Sequence, residues 1–224
     1  MEQKKTELQP NEKKRWKIFG VEFVYLYLFG IFVAFLGWAG ENTAGALTKG
    51  VVDSRFHLLP FISPYALIGP AVHIALGDPD DLTVFGKRLF REKSWKTRVL
   101  SNLICYVILC TMVFLGELAV GNLWDVLFGV RLWDYRGWPL TLTQYTSIVT
   151  TVGFGTAAYL VLRFVYKPML RLIRTKVPFR VAKWICLTLG IAIVLDTCWM
   201  ILHMALFGTG PVYWSFIVEN PIFG

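Results

Sequence analysis

Phe114 to Pro139 reads FLGELAVGNLWDVLFGVRLWDYRGWP. An apolar helix reaches a carboxylate, Glu117, passes Gly121 and Asp125, and leaves the apolar run through WDYRGWP, dense in Trp, Tyr and Arg. A second stretch, FLGWAGENTAG at 35–45, closes the first apolar run in a similar way. Apolar runs long enough to span a bilayer, each ending in aromatic and charged residues, decide the class: an all-α, polytopic membrane helix bundle.

Composition agrees. The 224 residues are 55% hydrophobic and only 17% charged, which leaves too little polar surface for a soluble domain of this length. The net charge of +8 does not point to nucleic acid, because the Lys and Arg cluster between apolar runs and leave no basic face over. Cys105, Cys110, Cys186 and Cys198 lie inside apolar runs without a CxxC pair, so neither a disulfide framework nor a metal site is expected.

Five spans are expected, at about 18–40, 60–77, 99–120, 147–166 and 184–207. Residues 1–17 read as a cytoplasmic basic tail, 18–207 as the transmembrane domain and 208–224 as an extracytoplasmic tail. A basic front and TAGA at 43–46 also resemble a cleavable leader, but the first apolar run exceeds the 7–15 residues of such segments. The second span is short and contains Gly69-Pro70, which predicts a kink. Asp78 to Asp81 are expected to cap a short interfacial helix carrying Leu82, Phe85, Leu89 and Phe90. Thr150, Thr151, Gly153, Gly155, Ala157 and Ala158 give the fourth span a small-residue face for close helix packing.

Charge sets the orientation. Lys and Arg number six in each of 1–17, 78–98 and 167–183, against two in 41–59, two in 121–146 and none after 207. Eighteen against four alternates with five spans and predicts N-terminus in, C-terminus out. The first and third spans then run the same way and share F-L-G, Glu, and Gly four residues later: Glu41/Gly45 and Glu117/Gly121. This reads as a parallel repeat of two-helix units, of a kind that transporters use.

The candidate chemistry is acidic. Glu41 and Glu117 lie near the outer boundary, and Asp196 lies deeper, inside the apolar layer. Ionisable groups at such depth mark ligand or ion pathways. His203 is seven residues beyond Asp196, on the same helix face. The four are expected to converge near the outer leaflet, with Arg55 and Arg131 as counter-charges and Trp38, Trp133, Asp134 and Tyr135 around the approach. Histidines 57, 73 and 203 form no metal-ligand spacing, and no phosphate loop, HExxH or GxSxG occurs. No cofactor is expected, and no enzymatic motif emerges.

Gly37, Trp38 and Glu41, then Pro64, Tyr65 and Gly69, then Gly129, Val130, Trp133, Asp134 and Tyr135 are together similar to a recognised pattern. It comprises a G-W-x-x-E helix end, a P-x-Y-x-x-x-G start and a G-V-x-x-W-D-Y segment. On these residues the chain resembles the bacterial putative ABC transporter permease (type IV) membrane protein family over about residues 25–168. The resemblance implies a multi-pass protein of the bacterial cytoplasmic membrane, working as a transport subunit with a cytoplasmic ATPase. Two other readings stay open: an enzyme acting on a lipid or isoprenoid within the bilayer, and a non-catalytic scaffold. Assembly with further copies of the chain also stays open.

Overall fold

The computed structural model describes residues 15–18, 20–92 and 94–219. Most of the expected N-terminal tail and the last five residues of the expected C-terminal tail lie outside this range. The helices are α1 (Phe23–Lys49), α2 (Ser63–Leu76), α3 (Trp95–Phe128), α4 (Ile148–Leu160), α5 (Tyr166–Lys176) and α6 (Phe179–Phe207). A π turn, Val161–Val165, joins α4 to α5 without a break. Among the described residues four helical stretches are long and apolar enough to cross a membrane: Phe23–Lys49, Trp95–Phe128, Ile148–Lys176 and Phe179–Phe207.

Several boundaries differ from the expected ones. The first helix does not stop near Gly40. Glu41, Asn42 and Thr43 carry no backbone breaker, and the helix continues to Gly50, which caps it at φ 61°. The third continues past Val120 to the same kind of cap at Gly129, φ 64°. The basic stretch 167–183 is not a loop: α5 runs through most of it, and only Val177–Pro178 separates it from α6. No interfacial helix follows Asp78. Gly77–Asp78, Asp81–Val84 and Lys87–Arg88 form a three-stranded antiparallel meander. Phe85 and Gly86, both at positive φ, make its tight turn. Leu82 is fully buried beneath it, where its N–H bonds Ser101 Oγ at 3.0 Å.

α2, with 14 residues, covers about 21 Å, less than the roughly 30 Å of a bilayer core. The chain before it supplies the rest of the path. After α1 the strand Val51–Asp53 pairs antiparallel with Ser215–Ile217. The chain then turns back along α1 until Ile62 N–H bonds the Ala34 carbonyl at 3.3 Å. Ala34 is 15 residues before the end of α1, so this segment descends by about 22 Å of helix length. Non-helical backbone at such depth persists only where protein groups satisfy it. Asp196 does so here: Oδ1 accepts from Leu58 N–H at 2.9 Å, and Oδ2 from Leu59 N–H at 3.2 Å.

α1 is the hub. Gly30 admits the Ala66 carbonyl and the Pro70 ring of α2, and Gly190 of α6 meets Tyr27 of α1. Phe29, Tyr166 and Leu162 share one buried core with Val72 and Leu76. α3 packs on α4 at Gly155, which faces Cys110, whereas Gly153 faces open space. Of the two glycines on the small-residue face only Gly155 makes a close contact, while Thr150 is buried and Ala158 packs on the core. Gly50 and Gly129 each lead to an Asp whose side chain bonds the N–H two residues on: Asp53 to Arg55 at 2.8 Å and Asp134 to Arg136 at 2.9 Å.

Candidate functional site

Glu41 and Glu117 are each met by a tyrosine. Tyr65, on the first turn of α2, donates its hydroxyl to Glu41 Oε1 at 3.0 Å. Gly37, one turn before Glu41, makes this possible, because a Cβ there would collide with the Tyr65 ring. Tyr135 donates its hydroxyl to Glu117 Oε1 at 3.1 Å. It is held by its own N–H on the Gln144 carbonyl, 2.9 Å, and by Thr141 Oγ1 on its carbonyl, 2.7 Å. Gly121, one turn beyond Glu117, likewise clears room for the Tyr145 ring, whose hydroxyl bonds Asp125.

The two acid–tyrosine pairs share one locus. The Tyr135 phenol is pushed well above its ordinary value, first by burial, then by the charge and hydrogen bond of Glu117, then by the charge of Glu41. Both carboxylates are therefore within electrostatic reach of one hydroxyl. Glu117 Oε2 is buried and has no hydrogen-bond partner among the described residues. Thr146 and Thr150 lie beside this carboxylate without reaching hydrogen-bond geometry. Thr150 donates instead to the Ser147 carbonyl at 3.1 Å, and Thr146 pairs with Thr151 at 3.1 Å.

Of the expected counter-charges, Arg55 stands within electrostatic reach of the Glu41 carboxylate without bonding it, and Arg131 pairs elsewhere. Arg55 Nη2 bonds the Glu41 carbonyl at 2.9 Å, and its Nε lies 3.3 Å from Asp53. Arg131 lies 3.6 Å from Asp125 and 3.7 Å from Asp134. Asp134 is engaged by Arg136, which holds its carboxyl down at about 2. Trp133 donates Nε1–H to the Tyr145 carbonyl at 2.8 Å and so braces the loop behind Tyr135. The Trp38 ring faces Trp214 of the C-terminal segment at 6.0 Å.

Asp196 and His203 do not join Glu41 and Glu117. Asp196 is 8% exposed and, besides Leu58 and Leu59, contacts His57 Nδ1 at 3.3 Å. It clamps the descending segment. His203 Nδ1 bonds the Thr209 carbonyl at 2.9 Å, and its ring lies against Trp199 and Phe207. Tyr65 and His57 were not among the expected site residues. Tyr65 had a signal, since it stands in the P-x-Y-x-x-x-G pattern. His57 had none, because its partner is 139 residues away. Among the described residues no group of three or more His, Cys, Asp or Glu is placed to hold a metal ion.

Four apolar helices long enough to span and a polar locus between them define a multi-pass helical membrane protein. The chain belongs to the family described as Putative ABC-transporter type IV, whose model matches residues 27–201. That match takes in α2 through α5 whole and most of α1 and α6. No curated protein and no solved structure matches the chain significantly.

Proposed function

We propose that this protein is a permease-like transport subunit whose Glu41 and Glu117 bind a proton, a cation or a cationic group of the solute near the outer leaflet. One observation carries the reading. Two half-buried carboxylates, each held by a tyrosine hydroxyl, lie within electrostatic reach of one phenol, and no Lys or Arg side chain bonds either carboxylate among the described residues. Two such charges in a low-dielectric setting repel and call for a positive guest. Glu117 Oε2 is the unspent acceptor that would receive it. Trp38, Trp133, Asp134 and Tyr135 would frame the approach. Asp196, and with it His203, would act from α6 by holding the outer segment.

The orientation is N-in and C-out in the bacterial cytoplasmic membrane, with five crossings. The second crossing is made by the descending segment and α2 together. The matching glycine caps and Asp-x-Arg turns after α1 and α3 support a parallel two-helix repeat. An ATPase subunit would dock on the basic inner segments. The test is solute uptake by cells carrying wild-type, Glu41→Gln or Glu117→Gln protein at equal membrane abundance. Loss of uptake of one solute in both variants is expected. Undiminished uptake of every solute the wild type imports would refute the reading.

A further inference from the structure

Two facing side chains at the other end of the bundle core carry polar atoms that nothing described satisfies. His73 lies near the end of α2, and both its ring nitrogens are buried without a hydrogen-bond partner among the described residues. Tyr166 opens α5, is 5% exposed, and has a buried hydroxyl with no partner either. The two rings lie 5.1 Å apart, tilted by 36°. This is not the habit of the protein's tyrosines. Tyr25, Tyr65, Tyr106, Tyr135, Tyr145 and Tyr159 all bond through their hydroxyls, and Tyr213 alone shares the buried, unpartnered state of Tyr166 among the described residues. A buried polar group without a partner is costly, so a fold keeps it only where something offsets the cost.

The backbone on both sides is irregular. The π turn Val161–Val165 ends at Tyr166, and such insertions concentrate at functional sites. Pro70, one turn before His73, interrupts the α2 hydrogen-bond ladder. Phe29 packs against Tyr166, its ring edge-on at 5.0 Å. Nearby, Arg174 lies 3.4 Å from Glu22, so these two charges answer each other.

The chemistry of the walls selects the guest. A neutral imidazole offers one donor and one acceptor, and a phenol offers a donor and acceptor lone pairs. With no uncompensated charge beside them among the described residues, the fitting guest is neutral and both gives and takes hydrogen bonds. One His and one Tyr are too few ligands for zinc. We propose that His73 and Tyr166 form a second polar site that holds buried water bridging the imidazole and the phenol. It lies about 18 Å along α1 from Glu41, counting twelve residues from Phe29. The inference stands on these two residues alone and survives whether or not the acid pair binds a cation.

Radiolytic hydroxyl-radical footprinting of the full chain in lipid nanodiscs tests it, since water activated in place oxidises the side chains it touches. Tyr166 should be oxidised at least several-fold faster than the equally enclosed Tyr25, and His73, which is half-buried, should be oxidised with it. Labelling of Tyr166 at the rate of Tyr25 would overturn the proposal. A second measurement is thermal unfolding of Tyr166→Phe, His73→Phe and the double variant. A shared bridge predicts that each single change lowers the Tm by about 2–4 °C and that the double change lowers it no further than the worse single. A Tm unchanged or raised by Tyr166→Phe would show the hydroxyl to be merely stranded and would overturn it too.

Discussion

Replacing Asp196 with Leu removes the acceptor of three hydrogen bonds at once. In the native protein Leu58 N–H, Leu59 N–H and His57 Nδ1 converge on that carboxylate at 2.9, 3.2 and 3.3 Å. Asp196 and His57 are 8% and 5% exposed, so water cannot take over freely. Each stranded group costs about 1–3 kcal/mol, and three of them, with partial relaxation of the segment, cost roughly 3–6 kcal/mol. For a chain of this size that lowers the Tm by about 6–24 °C. Asp196→Asn keeps one acceptor oxygen and should fall between wild type and Asp196→Leu. His57→Leu in the Asp196→Leu background should restore part of the loss, because one stranded polar group disappears. The assay is tryptophan fluorescence during heating of the purified protein in detergent. An Asp196→Leu protein that melts within 1 °C of wild type would refute the idea that this carboxylate holds the descending segment.

Two further outcomes follow from the packing and from the loop after α2. Gly30→Ala puts a Cβ into the Ala66 carbonyl and 3.1 Å from Pro70 Cδ, so it should cost about 1–3 kcal/mol, whereas Gly153→Ala meets nothing within 4 Å and should be neutral or stabilising; paired melting curves check this. Asp80 accepts from Asn102 at 2.8 Å and from Arg163 at 2.6 Å, which holds its carboxyl below the ordinary 3.8. A lowered carboxyl stabilises the fold above its unfolded value and loses that contribution as pH falls through the folded one. Asp80 is 39% exposed, so Asp80→Asn should cost no more than about 1 kcal/mol at neutral pH. The wild-type and variant Tm should converge below about pH 4.

The four long helices were legible because lipid requires uninterrupted apolar runs, and α1, α3, α4 with α5, and α6 each contain one. Their ends were less so. Glu41 and Glu117 read as boundaries because charge marks the water interface, yet charge does not end a helix. The first residues that do are Gly50 and Gly129, at positive φ. The meander after α2 was mistaken for a helix because Leu82, Phe85 and Leu89 fit helical spacing. Asp81 to Val84 also alternates, and the turn at Phe85–Gly86 decides for strands. In the site, the acids were visible as residue types at depth. Their partners were not, since Tyr65 reaches Glu41 across 24 residues and His57 reaches Asp196 across 139. Helical periodicity placed Asp196 and His203 on one face but could not say that a descending segment occupies the carboxylate.

The most direct test of the account is infrared difference spectroscopy of the carboxyl region, with purified protein in lipid perfused with Na+, K+, tetramethylammonium or acid. The acid-pair reading predicts a carboxyl or carboxylate response to at least one of these. That response should be reduced in both Glu41→Gln and Glu117→Gln and retained in Asp80→Asn, whose carboxyl is already spent on Asn102 and Arg163. Spectra that do not respond, or a response that both glutamine variants keep in full, would contradict it.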